Sequence, residues 1–402
     1  MQTKNTYLSF IILIILIFSC AGTAKDKKTV ADTTKSTKNI VKEILPGAYQ
    51  INEYLPLLKG KRIAVVGNQT SEINKIHLVD TLLSLQVNIV KVFAPEHGFR
   101  GKASAGEHVK NSIDVKTGLP IISLYGKHKK PSIDDLKDVD ILLFDIQDVG
   151  ARFYTYLSTL HYIMEAAAEQ NKKVIVLDRP NPNSDYIDGP VMQDENKSFV
   201  GLHPVPIVYA MTIGEYAQMI NGEKWLKNDV QANLTVIKIK NYKHGDEYHL
   251  PVKPSPNLPN YQSIRLYPSL CLFEGTDISC GRGTNMQFQI FGSNKLLKSD
   301  FSFIPHPNDG SKWPKHQDTI CYGKDLRNIT PPKEIYLKWL IDAYNQFEKK
   351  DKFFNPFFEK LAGNNNLRKQ IAKGLSIKEI KSTWQVDLKK FMYIRQKYLL
   401  YQ

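Results

Sequence analysis

The sequence predicts an α/β protein built on a Rossmann-like, doubly wound, mostly parallel sheet, and three observations carry that expectation. Five short runs at residues 62–66, 87–94, 119–125, 139–144 and 173–177 are apolar on both faces, as strands covered on both sides must be. Helical patterns at 77–85, 132–137 and 157–170 separate them, giving the alternation of βαβ units. Each run also empties into turn-forming or polar residues.

In chain order these endings are Gly67-Asn68-Gln69-Thr70, Pro95-Glu96-His97-Gly98, Tyr125-Gly126, Asp145-Ile146-Gln147-Asp148 and Asp178-Arg179-Pro180-Asn181. Ligands of such sheets sit outside the carboxyl ends of the strands. Asn68, Gln69, Glu96, His97, Asp145, Gln147, Asp148 and Arg179 are therefore expected to converge on one rim. Turn chemistry accounts for the Asn, Asp, Gly and Pro positions, but not for Glu96, His97, Gln147 or Arg179. No GxGxxG follows the first strand, so a dinucleotide site is not expected.

The segments before the sheet read as export and tether. Residues 1–20 carry Lys4 and an apolar run at 8–18, the length of a signal-peptide core and too short for a comfortable bilayer span. The run ends in Ile-Phe-Ser-Cys-Ala, similar to a bacterial lipobox with Cys20 as the lipidated residue; an uncleaved anchor is the alternative. Residues 21–44 are rich in Lys, Thr, Ala and Ser and read as a flexible tether. The expected location is the cell envelope, lipid-anchored, on the periplasmic side or at the outer membrane. The folded part divides, on this reading, into a domain at 45–190 and a second at 191–402.

The second part is less regular. Thr212 and Glu215 form a capping box for a helix to about 220, so Glu215 reads as structural. Residues 234–240 alternate like a strand, and 251–259 form a Pro-rich loop. Thr330-Pro331-Pro332 predicts a helix opening there and running to about 347, with Pro in its first turn. Ser376 and Glu379 predict the cap of a last helix ending near 401.

The chain of 402 residues carries 54 Lys and Arg against 40 Asp and Glu, a net charge of +14. Residues 21–42 and 353–402 hold surpluses of +4 and +7 and Lys4 adds one, leaving +2 for 43–352, where the motifs lie. The basic charge marks no groove around the motifs, and no nucleic-acid partner is expected. Cys271, Cys280 and Cys321 remain after Cys20, with no CxxC, and read as buried small residues.

Two segments carry the chemistry. In Ala94-Pro95-Glu96-His97-Gly98-Phe99-Arg100-Gly101, followed by Ala105-Gly106-Glu107, a carboxyl and an imidazole sit beside glycines that admit a ligand close to the backbone. Burial of Glu96 under a substrate suits a general acid. The loop from Glu274 to Thr284 offers Thr276, Ser279 and Thr284 hydroxyls and Arg282, suited to a carboxylate or a polar sugar. Glu96-His97 and Glu107-His108 invite a metal, but neighbours on an extended segment point apart and no HExxH exists. No cofactor or metal is expected, and no GxSxG marks a serine nucleophile.

These motifs resemble the exo-β-N-acetylmuramidase (NamZ) family of glycoside hydrolases. The resemblance rests on Val66 to Ser71, Phe93 to Gly101, Phe144 to Tyr156, Leu177 to Pro182, Pro254 to Pro259 and Phe273 to Thr284, and spans about residues 46–402. It implies a Rossmann-like domain with a smaller α+β C-terminal domain completing the cleft. It also implies removal of N-acetylmuramic acid from the non-reducing ends of peptidoglycan fragments, with Glu96 as the catalytic residue. Cys280 stands where a variable or small residue is expected.

On this reading Glu96 is general acid, and His97 holds its carboxyl or the sugar. Asp145, Asp148, Glu107 and Glu274 compete for the second role. Arg282, or alternatively Arg179, takes the lactyl carboxylate, and Asn68, Gln69, Gln147 and Thr284 contact the sugar. The other function classes are a lipid-tethered muropeptide-binding protein and a metal-dependent envelope hydrolase. Oligomeric state is left open.

Overall fold

A computed structural model describes residues 42–100 and 111–402. The leader, the tether up to residue 41, Cys20 and Glu107 lie outside the described residues; Ile44 at the tether's end packs against Ile239, Tyr242 and Tyr401. Seven strands build the central sheet: β1 (Ile63–Gly67), β4 (Ile89–Ala94), β5 (Ser112–Ile113), β6 (Pro120–Ser123), β7 (Ile141–Asp145), β8 (Lys173–Leu177) and β9 (Asn233–Ile237); β2 (Glu72–Ile73) and β3 (Ile76–His77) form a separate hairpin. The order is β5-β6-β4-β1-β7-β8-β9, and only β5 runs antiparallel to its neighbour. Without β5 this is the doubly wound order, with its reversal between β1 and β7.

Strand alternation explains the two-sided apolar runs. Ala64, Val66, Phe93, Leu142, Phe144, Val174 and Val176 face one core. Ile63, Val65, Val92, Ala94, Leu143, Ile175 and Leu177 face the other. Helices α1 (Ile51–Leu58) and α2 (Leu78–Ser84) cover the second face through Tyr54, Leu58, Leu78 and Leu82. A short α3 (Ile133–Leu136) precedes β7, and α4 (Tyr156–Glu169) and α5 (Ile213–Gly222) cover the first face. The expected capping box of α5 is present, Thr212 and Glu215 each accepting from the other's backbone N–H. The sheet continues past residue 190, because β9 supplies its edge from 233–237.

The C-terminal part contains α6 (Tyr261–Leu270), a three-stranded antiparallel sheet of β10 (Ile290–Ser293), β11 (Ser302–Phe303) and β12 (Cys321–Asp325), and then α7 (Leu337–Gln346), α8 (Phe358–Ala362), α9 (Leu367–Ala372), α10 (Ile377–Ser382) and α11 (Gln385–Gln396). Two helix expectations need correction. Helix α7 opens at Leu337 and not at Thr330, because Ile335 N–H donates to Asp188 and Tyr336 N–H to Ser269, which hold the preceding segment extended. The last helix is two helices. The Ser382 and Thr383 hydroxyls donate back to the Glu379 and Ile380 carbonyls and compete with the backbone ladder, ending α10. Cys271, Cys280 and Cys321 are free thiols and buried.

Candidate active site

A cavity of about 940 Å³ opens over the ends of β4 and β6, a volume near the upper end for small-ligand pockets. From the sheet side it takes Glu96, Tyr125, Lys129 and Thr155; from the C-terminal part it takes Tyr267, Glu274, Arg282 and Trp313. Among the described residues, Glu96 and Glu274 are its lining carboxylates.

Glu96 stands on the turn after β4 and is half-buried. Its Oε2 accepts from the Thr155 hydroxyl at 2.8 Å. Burial first, and then the charge of Glu96, push the neighbouring Tyr125 phenol up, so it stays neutral. Thr155 is one residue before α4 and Tyr125 two residues after β6. The segments after β4 and β6 and before α4 thus meet at one carboxyl.

Glu274 sits in the opposite electrostatic setting. Arg282 Nε donates to its Oε1 at 3.1 Å. Burial pushes the Glu274 carboxyl up, but Arg282 and Lys315 outweigh it and hold the group below the usual range. Lys315 Nζ fixes the loop by donating to the carbonyls of Phe273, Glu274, Thr276 and Ile278 at 3.0, 3.2, 2.7 and 3.2 Å. Gly281 and Gly283 adopt φ of +77° and +80°, which lets the loop fold back and bring Arg282 over Glu274. The Arg282 guanidinium also lies 5.0 Å from the Phe288 ring centroid.

The remaining strand-end residues form a hydrogen-bonded floor and do not line the cavity. Arg179 and Asp145 are buried and bonded to each other at two points, 2.6 and 2.8 Å. Asn68 Oδ1 accepts from Thr70 at 2.9 and 2.6 Å. Gln69 donates to the Lys253 and Pro254 carbonyls, and the Tyr154 and Tyr156 hydroxyls join it on Pro254, clamping the Pro-rich loop. Gln147 donates to the carbonyls of Asp148 and Pro180 at 2.8 and 2.7 Å. Asp148 is buried, accepts from Gly150 N–H at 2.7 Å and from the Tyr209 hydroxyl, and is pushed up to about 6 by burial. Thr284 donates to Gly281 O at 2.6 Å within its own loop.

His97 departs from Glu96. Its φ of +70° turns the chain, and the imidazole is buried beside a second hollow with Phe99, Arg100 and Asp114. The sequence reading brought Glu96, Glu274 and Arg282 to one cavity; it missed Tyr125, Lys129, Thr155, Phe199, Tyr267 and Trp313 as lining residues. Among the described residues no group of three His, Cys, Asp or Glu side chains is arranged to hold a metal ion.

A doubly wound α/β sheet with two carboxylates facing a cavity at its strand ends, closed by a C-terminal helical part, defines a class with solved members. A DUF1343 family protein from Bacteroides fragilis NCTC 9343 superposes with a TM-score of 0.84 at 46% identity, covering 90% of this chain and 99% of its own. A second DUF1343 protein from the same organism gives 0.75 at 30% identity, covering 89% and 99%. Residues 63–262 match the N-terminal, and 265–401 the C-terminal, family model of the exo-beta-N-acetylmuramidase NamZ. The peptidoglycan beta-N-acetylmuramidase NamZ of Bacillus subtilis (strain 168) is 36% identical over 99% of this chain and 100% of its own length. The chain belongs to the NamZ family.

Proposed function

We propose that this chain is an exo-acting glycoside hydrolase that releases N-acetylmuramic acid from the non-reducing end of peptidoglycan fragments. The supporting observation is the pair of cavity carboxylates in contrasting surroundings, Glu96 among hydroxyls and Glu274 beside cations. That contrast is the pattern by which one carboxyl serves as acid and the other as anion.

Glu96 gives its proton to the glycosidic oxygen as the bond to the anomeric carbon breaks. Thr155 holds the carboxyl in line for the transfer, and Tyr125 packs beside it. Glu274, kept ionised by Arg282 and Lys315, opposes the positive charge that grows on the sugar ring. Water supplies the hydroxyl to the anomeric carbon, and its proton passes to one of the two carboxylates. Asp145 and Arg179 stay in the floor beneath this chemistry.

Replacing Glu96 with Gln is expected to lower kcat by roughly two to four decades on a chromogenic muramic acid glycoside, with the thermal midpoint unchanged. Near-normal turnover would remove Glu96 from the mechanism. A protein that binds muropeptides without cleaving them would release no free sugar in the same assay.

The envelope location belongs to the same proposal. Its support is the apolar run at 8–18 followed by Ser19-Cys20. Cys20→Ala should shift the protein from the membrane fraction to the soluble fraction of the cell.

A further inference from the structure

Muramic acid differs from glucosamine by a lactyl carboxylate, so a cavity that already holds two carboxylates must meet a third with a cation that is not already neutralised. Arg282 is engaged by Glu274 on its Nε side. Arg179 is buried against Asp145. Lys312 lines the cavity and has interactions of its own. Lys129 is different: it lines the cavity, is half-buried, and pairs with no carboxylate among the described residues.

Its surroundings are built. The Lys129 ammonium lies 4.8 Å from the centroid of Phe199, a contact that orients a cation without consuming its charge. Phe199 is itself fixed, stacked on Tyr162 at 6.3 Å and 12°, with its carbonyl accepting from the Ser158 hydroxyl at 2.7 Å. The next residue, Lys130, bridges Glu165 and Glu169 at 2.7 Å each and pins the loop to α4. Tyr125, whose phenol feels the Glu96 charge, lies 6.2 Å from Phe199 between ring centroids. The wall therefore runs from the acid, past two aromatic rings, to the ammonium.

We infer that Lys129, held on the Phe199 ring, is the specificity-determining cation that reads the carboxylate carried by the sugar whose bond Glu96 breaks. The inference rests on the muramidase reading for the identity of the sugar. Arg282 then serves Glu274 and not the substrate.

The test uses equilibrium binding as well as turnover. Calorimetry compares N-acetylmuramic acid with its neutral methyl ester on the wild-type chain, Lys129→Met and Lys129→Arg. The wild type should prefer the acid by roughly 10- to 100-fold, the range of a charge-assisted hydrogen bond. Lys129→Met should collapse that ratio towards one, and Lys129→Arg should retain most of it. In the wild type the ratio should also shrink as salt rises, a measurement that needs no variant to fold. A ratio unchanged in Lys129→Met, or no wild-type preference for the acid, overturns the inference. Hydrolysis of the muramic acid glycoside, measured in parallel, separates the two readings: no cleavage with charge-dependent binding intact sinks the enzyme proposal alone.

Discussion

Asp145 at the end of β7 and Arg179, two residues beyond the end of β8, close a two-point ion pair with side chains 0% and 4% exposed. Removing one partner strands a buried charge, whereas removing both can be close to neutral. Arg179→Met is therefore expected to lower unfolding free energy by about 3–5 kcal/mol. The double change Arg179→Met with Asp145→Leu should recover much of that loss. Denaturant midpoints check both; a single variant as stable as the wild type would dismiss the pair as a structural anchor.

Thr155 donates to Glu96 from 59 residues away in sequence. Thr155→Val keeps the shape and deletes the donor. The expected result is a kcat lower by roughly tenfold with KM little changed, since one hydrogen bond to a charged group is worth about 1.5–3 kcal/mol at most. Thr155→Ser should restore the rate, which a mere packing role would not predict.

Arg282→Met tests the electrostatics of Glu274. Burial pushes that carboxyl up, and Arg282 and Lys315 pull it below its usual range. Without Arg282 burial meets less opposition, so the carboxyl protonates at higher pH. If the reaction needs ionised Glu274, the acid limb of the pH–kcat profile moves to higher pH. An acid limb that stays in place would remove Glu274 from the rate-determining charge balance.

Tyr401 donates to Asp178 Oδ2 at 2.6 Å, beside Thr212 at 2.7 Å. Burial pushes the Asp178 carboxyl up, these hydrogen bonds pull it partly back, and it settles at about 7. Because the folded value lies above the unfolded one, near 3.9, the group's contribution is full below about pH 4 and is lost as pH rises through about 7. Tyr401→Phe removes a donor that favours the carboxylate. It should cost about 1–3 kcal/mol at pH 8 and less at pH 5, where the protonated acid needs that donor less. Equal losses at both pH values would contradict the assignment.

The sheet was legible in the sequence because strands buried on both faces must be continuously apolar, as 141–144 and 174–177 are. The antiparallel sheet was not. Its central strand Cys321–Asp325 mixes Gly, Lys and Asp, and Gly323 is there for closeness, since a side chain at that point would meet the Phe291 carbonyl at 1.9 Å. Glu96 was legible because an acid after a strand end has no turn role. Arg179 and Gln147 carried the same signal, and Asn68, Asp145 and Asp148 stood at strand ends as well, but their spacing cannot distinguish a residue that satisfies a buried neighbour from one that faces a ligand. Lys129 and Phe199 lie in stretches without a distinguishing pattern, and only the packing of α4 against the loops at 125–130 and 197–200 brings them beside Thr155.

The Asp178–Tyr401 contact joins residues 223 positions apart. A nascent polypeptide could lay down all of the strands and still lack this donor to the carboxyl that follows β8. Until residue 401 has emerged, Asp178 can hold Thr212 and the Gly214 N–H but not the Tyr401 phenol, so this contact can close only late in synthesis.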